Sequence, residues 1–399
     1  MKIVYFYQYF TTPKGAYGTR VYEFCKNWVN QGHDVTIVTS VYSKSDIRAT
    51  HFLETQIHDG IKVRIINVGV DNKQSLFMRV WTFLQYMIIS SWYALILPAD
   101  IVIASSGPIT VGLSGLVAHY LRRRKMVFEV RDLWPRVVVD LGVIKNPIII
   151  RCAYWFEKRC YFAASHIVVL SSGMKADIET RYGIKNITIV TNSANVPLFS
   201  KKVENPNLRG LTPLKYAIYT GNIGIINNST WLFEAAKILK EKGREDIKIV
   251  LIGEGIQSKE LSEKKEKEKV ENFIILNSIP KLELVGLVQN AIVSLVPLKG
   301  YPILDTSSPN KFFESLASGV PVIQNTNGWM KSYLSDNNVG FTLNPDNAEN
   351  LSDILIELEG KPELLQEVGV RAKELAARDF DKDVLSNKML NVLKKCILK

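Results

Sequence analysis

The sequence predicts an α/β protein of two doubly wound parallel-sheet domains that face each other across a cleft, and three observations carry the prediction. Short apolar runs of strand length alternate with helical patterns from the first residue almost to the last. The alternation comes in two series, each opening with a glycine loop between its first strand and its first helix. The chain has 399 residues, which is too many for one hydrophobic core and about right for two.

In the first series, strands are expected at Ile3 to Phe10, Val35 to Thr39, Val63 to Val68, Ile101 to Ser105, Met126 to Val130, His166 to Leu170 and Ile187 to Val190. Residues 194–213, rich in Pro, Asn and charge and without apolar periodicity, read as a linker. The second series then places strands at Leu214 to Tyr219, Ile247 to Ile252, Phe273 to Leu276, Ile292 to Val296, Val320 to Ile323 and Gly340 to Leu343. The expected domains are therefore 1–193 and 214–380, with 381–399 a last helix packing back on the first domain. His33, in a Gly-His-Asp turn, reads as a helix-end residue, and the mixed-charge run Lys259 to Asn272 as a solvated helix face.

Composition is that of a folded protein, with 47% hydrophobic and 22% charged residues. The net charge of +11 is concentrated in the first half: residues 1–193 hold 23 Lys and Arg against 13 Asp and Glu, the remainder 27 against 26. An anionic partner for the first domain is implied, such as a phosphate-bearing lipid or an anionic membrane surface. Nucleic acid is disfavoured, because the basic cluster Arg122 to Lys125 has no aromatic stacking platform beside it. Four cysteines without metal or disulfide spacing, and an N-terminal segment with no secretory cleavage signal, suit a cytoplasmic protein that holds no metal.

Leu76 to Leu97 (LFMRVWTFLQYMIISSWYALIL) is long enough to cross a bilayer but carries Arg79, Gln85 and several hydroxyls. A core helix and an interfacial helix both fit. A true span would put strands of one sheet on opposite sides of a membrane. Peripheral association with the inner face of the cell membrane is the corresponding localisation.

Ligands of open parallel sheets sit beyond the carboxyl ends of the strands, where helix N-termini meet anions. Five loops there carry candidate chemistry. Gly15 and Gly18 precede the first helix. Gly221, Asn222 and Gly224 follow the first strand of the second series, and Gly253 and Gly255 the next strand, in a pattern too incomplete for a dinucleotide fingerprint. In PILDTSSPNKFFES, Ser308, Pro309 and Asn310 read as a turn and cap before a helix. There Lys311 can neutralise a diphosphate, and Glu314 can accept both hydroxyl hydrogens of a ribose. In EVRDLWP, Arg131 and Asp132 leave a buried strand ahead of Trp134. Asp132 can bind or deprotonate an acceptor hydroxyl, or the two charges can simply pair.

In order along the chain, QYFTTPKGAYGTRVYE, EVRDLWP, YTGNIG, VLIGEG, VSLVPLK, SPNKFFESLASGVPVI and VGFTLNPDN resemble glycosyltransferase family 4, nearly end to end. Within that family the chain is most similar to the WbuB-like subgroup of O-antigen and capsule enzymes, described as N-acetyl-L-fucosamine transferases. The resemblance implies the GT-B fold of two Rossmann-like domains and a metal-independent, retaining transfer of a sugar from a nucleotide diphosphate, usually UDP. It implies no cofactor. Donor-binding positions are then Gly15, Gly18, Gly221, Asn222, Gly224, Gly253, Gly255, Ile279 near the base, Asp305, Thr306, Ser308, Asn310, Lys311 and Glu314. Asp132, Lys311 and Glu314 are the catalytic candidates. Tyr17, Arg20, Arg131, Asp132 and Trp134 are the acceptor-binding ones, for a polyprenyl-diphosphate-linked saccharide. The sequence departs from the family pattern where a glutamate is common eight positions before Glu314, since Thr306 stands there with Asp305 beside it. A sugar-nucleotide epimerase of the same fold and a non-catalytic membrane-bound scaffold are the competing readings.

Overall fold

The computed structural model describes residues 1–399 except Ala16, Asn72, Lys73 and Lys399. The chain divides into two compact units, Met1–Thr191 with Lys382–Lys399, and Asn192–Asp381.

The first unit contains β1 (Lys2–Phe6), α1 (Arg20–Asn30), β2 (Asp34–Tyr42), β3 (Leu53–His58), β4 (Ile61–Val70), α2 (Leu76–Ile96), β5 (Ile101–Ser106), α3 (Gly112–Arg122), β6 (Lys125–Val130), α4 (Arg136–Asp140), α5 (Pro147–Ala163), β7 (His166–Val169), α6 (Ser172–Tyr182) and β8 (Ile187–Ile189). Its sheet runs β3-β4-β2-β1-β5-β6-β7-β8 and is parallel except for β3, which pairs antiparallel with β4. The expected strand list lacks β3. Its register is set by a tight turn in which Asp59 and Gly60 both take positive φ, the backbone that an Asp-Gly pair accepts and that hairpin turns require.

The second unit contains α7 (Val196–Ser200), β9 (Tyr216–Thr220), α8 (Ser229–Glu241), β10 (Lys248–Ile252), α9 (Ser258–Glu268), β11 (Phe273–Leu276), α10 (Lys281–Gln289), β12 (Val293–Val296), α11 (Asn310–Ser318), β13 (Val322–Gln324), α12 (Trp329–Asn337), β14 (Gly340–Thr342), α13 (Ala348–Glu359) and α14 (Pro362–Asp379). Its sheet is wholly parallel, in the order β11-β10-β9-β12-β13-β14. The strands are near-continuous apolar runs because both faces are covered. The stretch 194–213 is not a free linker. Phe199 on α7 is buried, and Leu208 and Leu211 pack on the apolar cluster around Tyr216 and Leu287, so three well-spaced apolar anchors outweigh the loop-like composition.

The last helix, α15 (Lys382–Leu398), belongs to the first unit. Leu385, Met389 and Leu393 join the core that also holds Tyr5, Phe24 and Trp28. Trp28 donates its indole N–H to the Ser386 carbonyl at 3.1 Å, and Lys382 pairs with Glu23 at 3.3 Å.

Candidate active site

In the second unit the chemistry gathers where β9, β10 and β11 end and α11 begins. Gly221 leaves β9 with φ +130° and donates its N–H to the Ile252 carbonyl at 2.9 Å. Gly253 takes φ +152°, and a Cβ there would collide with the Gly221 carbonyl; one on Gly255 would strike the carbonyl of Ile223. These two glycines therefore let two turns stack backbone on backbone, a packing need that stands whatever ligand they also serve. Asn222 accepts the Tyr219 hydroxyl on its carbonyl at 2.6 Å, which fixes the turn from below, and its side-chain amide lies against Gly224.

Lys311 lies with its Nζ 3.7 Å from the centre of the Tyr219 ring and about as close to the Cβ position of Gly221. Stripped of water there, its ammonium falls from the usual lysine range to about 7, against the opposing pull of Glu314. An ammonium in this state is short of a counter-charge. Glu314, one turn on, is held by Lys281 at 2.7 Å. Lys281 opens α10, on the loop that also carries half-buried Ile279. No periodic signal in the sequence marks Lys281, a lone cation after an Ile-Pro turn.

The start of α11 differs from the expected cap. Pro309 occupies the N-cap position and no side chain caps the helix. The Ser308 carbonyl accepts from the Asn192 amide at 2.6 Å, while the Ser308 hydroxyl, nine-tenths buried, has no partner. An uncapped helix start, an unpartnered hydroxyl and a desolvated ammonium, all within residues 308–311, are groups of the kind that can receive an anion. Asn310 is the first residue of that helix. Asp305 is engaged elsewhere, accepting the Asn327 N–H at 2.8 Å, and the Thr306 hydroxyl donates to the Ile303 carbonyl at 2.8 Å.

In the first unit, Arg20 is buried on α1 and ion-paired with Glu129, and it donates to the carbonyls of Val190 and Thr191. Tyr5 and Ser105 donate to the other oxygen of the same carboxylate. Burial pushes the Glu129 carboxyl up, but the Arg20 charge and these donors outweigh it and hold it below the ordinary range. Gly15 allows the loop after β1 to close on Thr11 and the backbone at Asp46, where a Cβ would collide with the Thr11 hydroxyl. Asp46 ties this loop down by accepting from Thr11 at 2.9 Å and from the Thr12 hydroxyl at 2.6 Å. Gly18 lies at the end of the loop, one residue before the N-cap of α1.

Arg131 and Asp132 do not form an ion pair. The Arg131 guanidinium lies 5.1 Å from the Tyr7 ring centre, leaving Nη1 buried without a hydrogen-bond acceptor. Tyr17 stacks edge-on against Tyr42, with ring centres 5.1 Å apart, and tilts against Tyr9. The Asp132 side chain reaches solvent, yet the protein around its carboxylate raises it to about 6. Trp134, half-buried, turns back on Asp132 through a backbone bond of 2.8 Å. Gln8 was not among the expected residues: at the end of β1 it is fully buried with both side-chain amide atoms unpartnered.

Comparison with known proteins fits both units. Residues 15–193 match the family model described as glycosyl transferase 4-like domain, and residues 207–375 that of glycosyl transferases group 1. Between them they cover most of the chain, which belongs to the glycosyltransferases of GT-B type. An uncharacterized glycosyltransferase of Methanocaldococcus jannaschii is 26% identical over 235 residues, 53% of this chain and 64% of that protein. The chain thus spans just under two thirds of that relative's length. Among solved structures, sucrose-phosphate synthase from Thermosynechococcus elongatus matches with a TM-score of 0.76 at 14% identity, over 99% of this chain and 98% of that one. HepE of Anabaena, solved with UDP and glucose, matches with a TM-score of 0.72 at 14% identity, over 99% and 100%. WaaG, a glycosyltransferase involved in lipopolysaccharide biosynthesis, matches with 0.68 at 16%, over 98% and 99%. At these identities the structures share the fold. Among the described residues, no group of three or more His, Cys, Asp or Glu is placed to hold a metal ion.

Proposed function

We propose that this protein transfers a sugar from a UDP-sugar to a hydroxyl of a polyprenyl-diphosphate-linked saccharide, with retention at the anomeric carbon and without a metal ion. The observation that carries the donor half is the desolvated Lys311 beside an uncapped helix start and the Gly221 turn. A diphosphate supplies the counter-charge that this ammonium lacks. Glu314, positioned by Lys281, takes the ribose diol, and Ile279 packs near the base. HepE, a relative in fold, is solved with UDP-glucose, which supports a UDP-sugar as donor here.

As the anomeric C–O bond breaks, charge grows on the leaving diphosphate, and Lys311 with the first N–H groups of α11 stabilises it there. The acceptor half is assigned to Asp132, whose raised carboxyl suits binding or accepting a hydroxyl proton, with Arg131, Tyr17 and Trp134 around it. Arg20 serves this site by holding Glu129 and the end of β8. The sugar is proposed to be an N-acetylated deoxyhexosamine such as N-acetyl-L-fucosamine, and the product a precursor of O-antigen or capsule, on the WbuB-like resemblance of the seven segments.

A thermal-shift panel of UDP, GDP, ADP and their sugar conjugates tests the donor. A shift confined to the uridine compounds and lost in Glu314→Ala and Lys311→Ala is expected. A shift with another nucleotide family would overturn the UDP assignment. Conversion of the donor alone, with no acceptor present, would favour an epimerase.

A further inference from the structure

We infer that the outer face of the α2, α3 and α5 layer is a bilayer-docking surface that takes anionic lipid headgroups. The inference deepens the membrane-borne acceptor reading but rests on separate geometry.

The helix α2 is built inside out. Its sheet-facing side carries Thr82, Tyr86 and Ser90, all buried, and the polar groups are satisfied there: Tyr86 donates to the Val38 carbonyl at 2.7 Å and Ser90 shares a 2.7 Å bond with the Ser114 hydroxyl on α3. The opposite side is a continuous apolar stripe of Phe77, Trp81, Leu84, Ile88, Trp92 and Ile96, with Phe77 at 77% and Ile88 at 64% exposure. Spacings of three and four residues place these six on one helix face. A surface helix of a water-soluble domain has the reverse pattern. Among the described helices none is long and apolar enough to cross a membrane, and this one is pinned to the sheet along its polar side. It is shaped to lie along an interface.

The neighbouring helices extend the face. Right-handed crossovers from β4 to β5, β5 to β6 and β6 to β7 put α2, α3 and α5 on the same side of the sheet, opposite α1 and α15. The α3 helix packs against α5 through Gly112, where a Cβ would press on Phe156 and Cys160. Trp155 and Phe162 on α5 are exposed, each with a cation near its ring: Arg159 at 5.7 Å from Trp155 and Lys158 at 5.7 Å from Phe162. Exposed Arg122 and Arg123 end α3.

Charge decides the occupant. On these three helices the only carboxylate is Glu157, and it is fully buried against Arg181 and Tyr182. A face with exposed aromatics, aliphatics and cations and no exposed acid complements an anionic headgroup layer over hydrocarbon. A second copy presenting the same face would bring like charges together.

Co-sedimentation with vesicles of phosphatidylcholine, with and without phosphatidylglycerol, tests the inference. Binding is expected to tighten roughly tenfold or more when the anionic lipid is present. The combined change Phe77→Ser, Trp81→Ser and Ile88→Ser is expected to release the chain from both vesicle types while its melting midpoint stays level or rises. The pair Arg122→Ser and Arg123→Ser is expected to remove most of the difference between the two lipids. Brominated phosphatidylcholine is expected to quench tryptophan fluorescence in the wild type and to lose most of that effect in Trp81→Phe/Trp92→Phe/Trp155→Phe. A folded monomer that binds neither vesicle overturns the inference. So does binding without quenching, or a dimer that the serine variant dissociates. The UDP thermal shift, read on the same variants without lipid, shows separately whether the donor site is intact.

Discussion

Replacing Lys311 by methionine is expected to make the free protein more stable and the enzyme nearly inactive, and the first effect is the more telling. Its ammonium falls from 10.5 to about 7 on folding, chiefly through desolvation. At about 1.4 kcal/mol per unit this shift has an upper bound of about 5 kcal/mol. Because the side chain is only partly buried and solvent relaxes around it, about 2 to 3 kcal/mol is the working figure. The folded state binds the proton less well than the unfolded chain, so the cost is fully present below about pH 7. It is relieved as the pH rises towards the unfolded value near 10.5. Methionine fills similar space without the charge. Its stabilising effect should therefore be largest near neutrality and fade in alkali, read as the midpoint of urea unfolding across that range. Turnover should fall by about a hundredfold to a thousandfold, the cost of losing one preorganised donor to a developing anion. Calorimetry supplies a second measure. Near pH 8 the free ammonium is mostly neutral, so UDP binding should take up close to one proton, visible as a dependence of the heat on buffer ionisation. Equal stability of the two proteins at every pH, or UDP binding with no proton uptake, would refute the argument.

Glu314→Gln is expected to weaken UDP binding by about tenfold, since the amide offers the ribose one acceptor and leaves Lys281 unpaired; titration calorimetry reads it, and unchanged affinity would remove Glu314 from the donor site. Gly253→Ala forces a Cβ onto the Gly221 carbonyl at positive φ, so a loss of about 2 to 4 kcal/mol is expected in denaturant unfolding, and a wild-type midpoint would contradict the stacked-turn geometry. Arg20→Met strands a fully buried carboxylate at Glu129, with an expected loss of about 3 to 5 kcal/mol. Because pairing holds the Glu129 carboxyl below its unfolded value, that stability is present above about pH 4.5 and disappears as the pH falls through the folded value. Stability curves that keep the same acid limb in wild type and variant would count against it.

The fold was legible because parallel strands covered on both sides are written as unbroken apolar runs, and thirteen of these were read from the sequence, each overlapping an observed strand from β1 to β14. The strand that escaped, β3, alternates exposed and half-buried residues at the sheet edge and has no such run; its Asp59-Gly60 turn was the available signal. Lys311 and Glu314 were legible by spacing after a breaker, since one turn of helix puts both on the side from which the helix begins. Lys281 was not, because it lies 33 residues from Glu314 and meets it only after β11 and β12 have been laid on either side of β9 and β10.

What the sequence determined by itself was local and periodic: which runs become strands, where glycine punctuates them, and which helix start carries Lys311. Tertiary structure decided how far each group is stripped of water and what it meets. The same letters Arg and Asp at 131 and 132 allowed an ion pair, and packing instead turned the guanidinium onto Tyr7. The same apolar letters of α2 allowed a core helix, and the fold buried the hydroxyls of Thr82, Tyr86 and Ser90 and turned Phe77, Trp81 and Trp92 outward. Periodicity fixes that a helix has two faces, but only the neighbours it packs against fix which face is inside.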